Sequence, residues 1–285
     1  MISYKMRKRI GSVAFLAFCS LSYIFLLAPL VVVVATSFNG PTGSVEASFK
    51  FPPENLSFYW YGQIPASQIN ALGLSVALAL ISSVFACLLG VPAALGLVRS
   101  DIPGKVFISA IFRAPLQIPS IVTGIAFLQL FYLIGDLTGF YWQGTLLGLA
   151  IGHIFVATPY VIGTVTAILQ RFDTRLEEAA VVHGATPLRA FFRVTLPVIM
   201  PGVYAGALYA FMVSFSDIPI AIFLSAPGFV TYPIEIFYSL ETDFDPSLMA
   251  SATLVIFGSL LLLLAVQKIV GLDALLKAGG TGRVR

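Results

Sequence analysis

Two groups of residues in this chain are of types that can do chemistry. The first is Glu178-Ala179-Ala180, then Gly184, then Val194-Thr195-Leu196-Pro197, within a polar island from Arg171 to about Met200 that separates two apolar runs. Ala179 and Ala180 allow another body to approach closely, Glu178 can pair with a basic group or cap backbone, and Gly184 permits a sharp exit. The second group is Ser214-Phe215-Ser216-Asp217, with Phe211 one turn earlier, inside an otherwise apolar run. A carboxylate in such surroundings would attract and pair with an ammonium group. The alternative, Asp217 bonded to a neighbouring helix or assisting a subunit interface, stays open.

Other chemistries find no support. His153 and His183 stand apart, and Cys19 and Cys87 lie in separate apolar stretches with no CxxC spacing. Neither a metal centre nor a disulfide is expected. No Gly-x-x-x-x-Gly-Lys-Ser/Thr loop is present, so no P-loop nucleotide site is expected in this chain. No catalytic residue and no cofactor is predicted.

The elements that position these residues follow from composition. The 285 residues are 58% hydrophobic and 10% charged, with 24 Phe and 11 Tyr, which places the chain among integral membrane proteins. Six apolar stretches approach or exceed the roughly 20 residues that cross hydrocarbon as a helix: 13–36, 69–98, 107–131, 144–169, 198–224 and 248–270. Alternating strands are absent, so a β-barrel is excluded and an all-α membrane protein with six transmembrane helices is predicted. The first stretch is too long for a signal-peptide core and is read as an uncleaved helix. With both termini in the cytoplasm, the internal segments 1–12, 99–113, 170–197 and 268–285 hold 15 of the 16 Lys and Arg residues. The net charge of +3 thus reports membrane orientation, not nucleic-acid binding.

Local signals add detail. The external loop 37–68 carries the turn Gly40-Pro41-Thr42-Gly43 and the aromatic run Phe58-Tyr59-Trp60-Tyr61, suited to headgroup depth. Asn70, Gly73, Ser75, Ser82, Ser83, Gly90 and Gly96 in the second helix permit close helix packing. Pro115 and Pro119 preclude a straight third helix, and irregular backbone in a membrane must be covered by protein or line a cavity. His153 in the fourth helix is read as a packed histidine bonded to a neighbouring helix, with a place on a transport path as the alternative. The polar island reads as an elbow. Asp173 is its N-cap candidate, residues 173–182 form a first helix with Glu177 and Glu178 in one turn region, and Gly184 ends it. Thr186-Pro187 starts a second helix, with Arg189 and Arg193 on one face, which Leu196-Pro197 closes. One membrane domain, 1–285, is expected, ending in the Gly-rich tail 279–282.

The motif Glu178-Ala179-Ala180, three residues, Gly184, nine residues, Val194-Thr195-Leu196-Pro197 resembles the EAA loop of the membrane subunits of binding-protein-dependent ABC importers, with Val194 in place of the usual Ile. Its position between the fourth and fifth of six helices also matches. The hydropathy pattern of nearly the whole chain looks like the type I, MetI-like permease fold. This resemblance implies a bacterial cytoplasmic (inner) membrane protein whose loop 171–197 contains a coupling helix docked on two cytoplasmic ATP-binding subunits. Glu177, Glu178, Ala179, Ala180, Gly184, Pro187, Leu196 and Pro197 would form that handle. It also implies a second related permease or a second copy of the chain, and an extracytoplasmic solute-binding protein.

The segments around Ser214 to Asp217, Tyr232-Pro233-Ile234-Glu235-Ile236-Phe237 and Asp245-Pro246-Ser247-Leu248-Met249-Ala250 resemble the spermidine/putrescine branch of the family, with Asp217-Ile218 where members commonly carry Asp-Glu. The loops assigned to the outside are acidic at Glu46, Glu54, Asp136, Glu235, Glu241, Asp243 and Asp245. The resemblance therefore implies a polyamine cargo and a pathway including Asp217, Ser214, Phe215, Ser216 and Phe211. Opines, aminoethylphosphonate, iron(III) and thiamine are the alternatives within the branch. An ion-coupled secondary transporter would call for coupling carboxylates within repeated helices. A membrane scaffold would not need the spaced polar elbow.

Overall fold

Apolar runs in this chain become helices because lipid leaves no other way to satisfy backbone N–H and C=O groups. The computed structural model describes residues 4–41, 49–242 and 245–270. Thr42, Gly43, Glu46, Asp243 and the 279–282 tail lie outside the described residues. Those described form α1 (Tyr4–Thr36), α2 (Ala66–Arg99), α3 (Lys105–Arg113), α4 (Ser120–Thr138), α5 (Leu146–Leu169), α6 (Arg175–Val182), α7 (Pro187–Ala190), α8 (Leu196–Ser216), α9 (Pro219–Leu224), α10 (Tyr232–Thr242) and α11 (Ser247–Val270). Among them, six helical stretches are long and apolar enough to cross a membrane: Gly11–Thr36, Ala66–Arg99, Ser120–Thr138, Leu146–Leu169, Pro187–Ser216 and Ser247–Lys268.

Two spans differ from the sequence expectation. The third was expected over 107–131, but its helix is Ser120–Thr138, preceded by the separate helix α3 and a 3₁₀ turn at Ala114–Leu116. Pro115 and Pro119 remove two backbone donors within five residues, so the ladder breaks although the hydropathy runs on. The fifth was expected over 198–224. It starts earlier, at Pro187, and stops at Ser216, where the chain turns extended at Asp217 before Pro219 begins α9.

The chain divides into two compact units. One contains Met1–Ala66 and Ser239–Leu261. There the loop after α1 is held by an aromatic cluster of Phe38, Phe58 and Tyr61, and by a 2.8 Å hydrogen bond between the Ser37 and Tyr61 hydroxyls.

The other unit contains Ser67–Tyr238 and Leu262 onward. Its centre is the pair α5 and α8, packed on α2 through a core of Ala86, Ala94, Ala157, Val161, Val165 and Ile199. Small residues set the spacing. A Cβ on Gly206 would lie 2.9 Å from Val161 Cα, so the two backbones can approach only because Gly206 has none. Ser83 Oγ donates to the Ala207 carbonyl at 2.8 Å, and Ser75 Oγ accepts from the Tyr232 backbone N–H at 2.8 Å. A second core joins α4, α5 and α9 through Phe131, Leu149, Val156, Ile220 and Leu224. Thr145 caps α5 by accepting from the Gly148 N–H at 3.1 Å.

Candidate functional site

The polar island folds as an elbow of two short helices, for reasons visible in its punctuation. Asp173 Oδ1 accepts from the Arg175 N–H at 3.0 Å, while Thr174, not Asp173, occupies the boundary position of α6 and makes no side-chain cap. The expected N-cap is thus displaced by one residue, with the Asp173 carboxylate still serving the first turn. Gly184 follows α6 at φ +89°, a left-handed conformation that any side chain would strain. Thr186 Oγ1 then accepts from the Arg189 N–H at 3.3 Å, and Pro187 takes the first position of α7.

The end of the elbow departs from the sequence reading. Leu196-Pro197 does not close the second helix. α7 runs through a π-helical turn, Phe191–Thr195, directly into α8. Pro197 has no N–H and its ring would crowd the carbonyl four residues back. The Leu196 N–H bonds instead to the Phe191 carbonyl, and this widened turn carries the helix past the proline.

The coupling candidates point in different directions. Glu178 and Ala179 are exposed and Ala180 is half-buried, and around them Leu176, Val182, Leu188 and Phe192 are exposed as well. Glu177 turns inward: its carboxylate receives Arg99, from the end of α2, in a two-pronged pair at 2.7 and 3.3 Å. The same guanidinium donates to the fully buried Thr195 at 3.3 Å and lies 5.9 Å from the Phe172 ring centroid. Arg99 and Thr195 thus tie α2, α6 and the π-turn together. Arg99 was not singled out from sequence, and Thr195 entered only as a member of the Val194–Pro197 motif. The usable signals were a lone Arg ending an apolar helix and a polar residue inside the Val194–Pro197 motif.

The second candidate group sits where α8 ends. Asp217 Oδ1 accepts from the Ile220 N–H at 2.9 Å and from the Ala221 N–H at 3.4 Å, so the carboxylate caps α9. Asp217 and Ser216 line a cavity of about 360 Å³ together with Tyr160, Ser120 and Leu116. Ser214 is not on that cavity. It is buried and bonded to His153 Nδ1 at 2.9 Å, which gives the histidine a packed, helix-bridging place between α5 and α8. Phe211 and Phe215 stack on each other, with centroids 6.0 Å apart. Of the five pathway candidates, the structure therefore brings Asp217 and Ser216 to one cavity and turns the others to internal contacts. Tyr160 was missed. It lines the cavity from α5 and stacks on Tyr209 at 6.4 Å.

A family model described as the binding-protein-dependent transport system inner membrane component matches residues 86–273, a stretch that includes both the elbow and Asp217. The chain belongs to this family. It is a multi-pass permease component of an ABC importer, a membrane subunit and not an enzyme. The permease is 35% identical over 240 residues to the putrescine transport system permease protein PotI of Escherichia coli K12, covering 83% of each chain. It is 30% identical over 254 residues to the spermidine/putrescine transport system permease protein PotC of the same strain, covering 88% of this chain and 92% of that one. Among solved structures, a bacterial ABC transporter involved in the import of the acidic polysaccharide alginate has the same fold. Its TM-score is 0.70 at 16% identity, over 95% of the permease and 98% of that chain.

Proposed function

We propose that the permease forms the membrane-spanning half of an ATP-driven importer for a small cationic solute, a polyamine such as putrescine or spermidine. The observation that carries the cargo class is the Asp217 carboxylate beside Tyr160 on one cavity. A carboxylate at a helix break within a membrane span suits an ammonium group, and an aromatic face adds cation–π attraction. The relatives named for putrescine and spermidine fit the same chemistry. Asp217 and Ser216 contact the solute. Ser214 and the Phe211–Phe215 stack hold the shape of the break.

In this reading both termini are cytoplasmic, and residues 1–285 act as one transmembrane domain with loop 171–197 on the cytoplasmic side. The charge asymmetry of the loops supports the orientation. Two ATP-binding subunits grip the elbow on Glu178, Ala179, Ala180 and the apolar side chains exposed around them. Gly184 and Pro187 set the angle of the handle. Leu196 and Pro197 continue it into α8, so a pull on the elbow tilts the helix that ends at Asp217. Glu177 passes the same pull to α2 through Arg99. A second related permease, or a second copy, closes the pathway, and an extracytoplasmic binding protein delivers the solute.

Binding of candidate solutes to that partner binding protein tests the cargo. Putrescine and spermidine should bind in preference to opines and aminoethylphosphonate. A clear preference for an anionic solute overturns the polyamine reading.

A further inference from the structure

The Ser67–Tyr238 unit holds a larger cavity, about 490 Å³, that a cationic cargo does not explain. It lies among α2, α3 and α5. Lys105, Ser109 and Arg113 line it from α3, each four residues from the next, so the three form one stripe of that helix. Thr166 lines it from α5, and Gln170 from the residue that ends that helix. No carboxylate is among its lining residues.

The polar groups there are incompletely used. Lys105 Nζ donates to the Val98 and Ser100 carbonyls, both at 3.2 Å, which leaves one of its three N–H groups over. Arg113 meets no carboxylate among the described residues. Thr166 Oγ1 is buried and has no hydrogen-bond partner among them. Two positive charges and an amide around one space make an oxyanion site. An ammonium cargo would be repelled from it. Leu116 lines both this cavity and the Asp217 cavity, so the basic and acidic chambers are neighbours of opposite character.

α3 itself indicates what kind of oxyanion. Opposite its basic stripe, Phe107 and Ile111 are exposed by 69 and 54%. A short helix with basic residues on one side and large apolar residues on the other lies at the headgroup boundary with its apolar side among acyl chains. Basic pockets between membrane helices at that depth take lipid phosphates. We infer that the cavity holds the phosphate of an anionic phospholipid, with the acyl chains lying along Phe107 and Ile111.

The test uses the assembled transporter, purified and reconstituted in nanodiscs that mix phosphatidylglycerol with phosphatidylcholine, with retained lipid read by mass spectrometry. The wild-type complex should keep phosphatidylglycerol in preference to phosphatidylcholine. K105Q/R113Q should hold it roughly 30-fold more weakly, from the loss of two basic contacts, and the charge-preserving K105R/R113K should retain it. Equal retention of both lipids by the wild-type complex overturns the proposal without any variant. Equal phosphatidylglycerol retention by wild type and K105Q/R113Q also overturns it. Displacement of the retained lipid by inorganic phosphate alone would make the site one for free phosphate and overturn the lipid assignment.

Discussion

The elbow and the break at Asp217 are both polar interruptions of apolar helices, yet they are built in opposite ways. In the elbow, Glu178, Ala179, Gly184 and Pro187 are exposed, while Glu177 and the buried Thr195 turn in, to Arg99. At the break most polar groups face inward. Ser214 serves His153, and the Asp217 carboxylate serves α9 while lining a cavity. A surface made to be gripped leaves its groups unspent, whereas a break inside a membrane must first satisfy its own backbone and side chains. The elbow therefore leaves exposed the groups that the proposed ATP-binding partners would grip. The break reads as one wall of a pathway, consistent with a permease that works beside a partner.

The contrast can be broken from either side. The largest effect is expected from Ala179→Arg, which puts a long cation on the outward face. Solute uptake in cells should fall roughly 100-fold, the size of losing an interface hot spot, while the thermal midpoint of the purified chain stays unchanged. A lowered midpoint with intact uptake would mean that Ala179 packs internally. Ser214→Ala should do the reverse. It strips the partner from a fully buried histidine and should cost about 1–3 kcal/mol of stability, read as a lower midpoint, because Ser214 is off the cavity. Arg99→Gln is the smallest and sharpens the exception within the elbow. The pair with Glu177 is partly solvent-exposed, so its loss should cost about 1 kcal/mol or less. The informative readout is the ratio of solute transported to ATP hydrolysed, which should drop if the Arg99 tie carries force to α2.

The six spans were legible because twenty apolar residues in a row permit little else. Their ends were not. Hydropathy does not register a missing backbone donor, so the third span was placed across Pro115 and Pro119 even though the two prolines rule out a straight helix there, as the structure bears out, and the run through Asp217 and Pro219 looked continuous. The elbow was legible from its punctuation, Gly184 and Thr186-Pro187, since each residue type answers a local backbone need. His153 read correctly as bonded to a neighbouring helix, but its partner Ser214, like the partner Arg99 of Glu177, was not legible, because the pairs lie 61 and 78 residues apart and nothing local announces them. Asp217 stood out as a costly carboxylate, but its capping role was readable too. An Asp two residues before a Pro is a helix-start pattern, and it was overlooked because the apolar run hid the break.

In the proposed function, Asp217 meets a cationic solute on a path driven from the elbow. The most direct measurement is ATP hydrolysis by the assembled transporter carrying Asp217→Asn, with putrescine-loaded binding protein added. Asparagine keeps an oxygen that can cap α9 and removes the charge. Stimulation by the loaded binding protein should fall about tenfold, the loss of roughly one charge-assisted contact, with a matching fall in putrescine uptake. Unchanged stimulation and unchanged uptake would contradict this role and leave Asp217 as a helix cap alone.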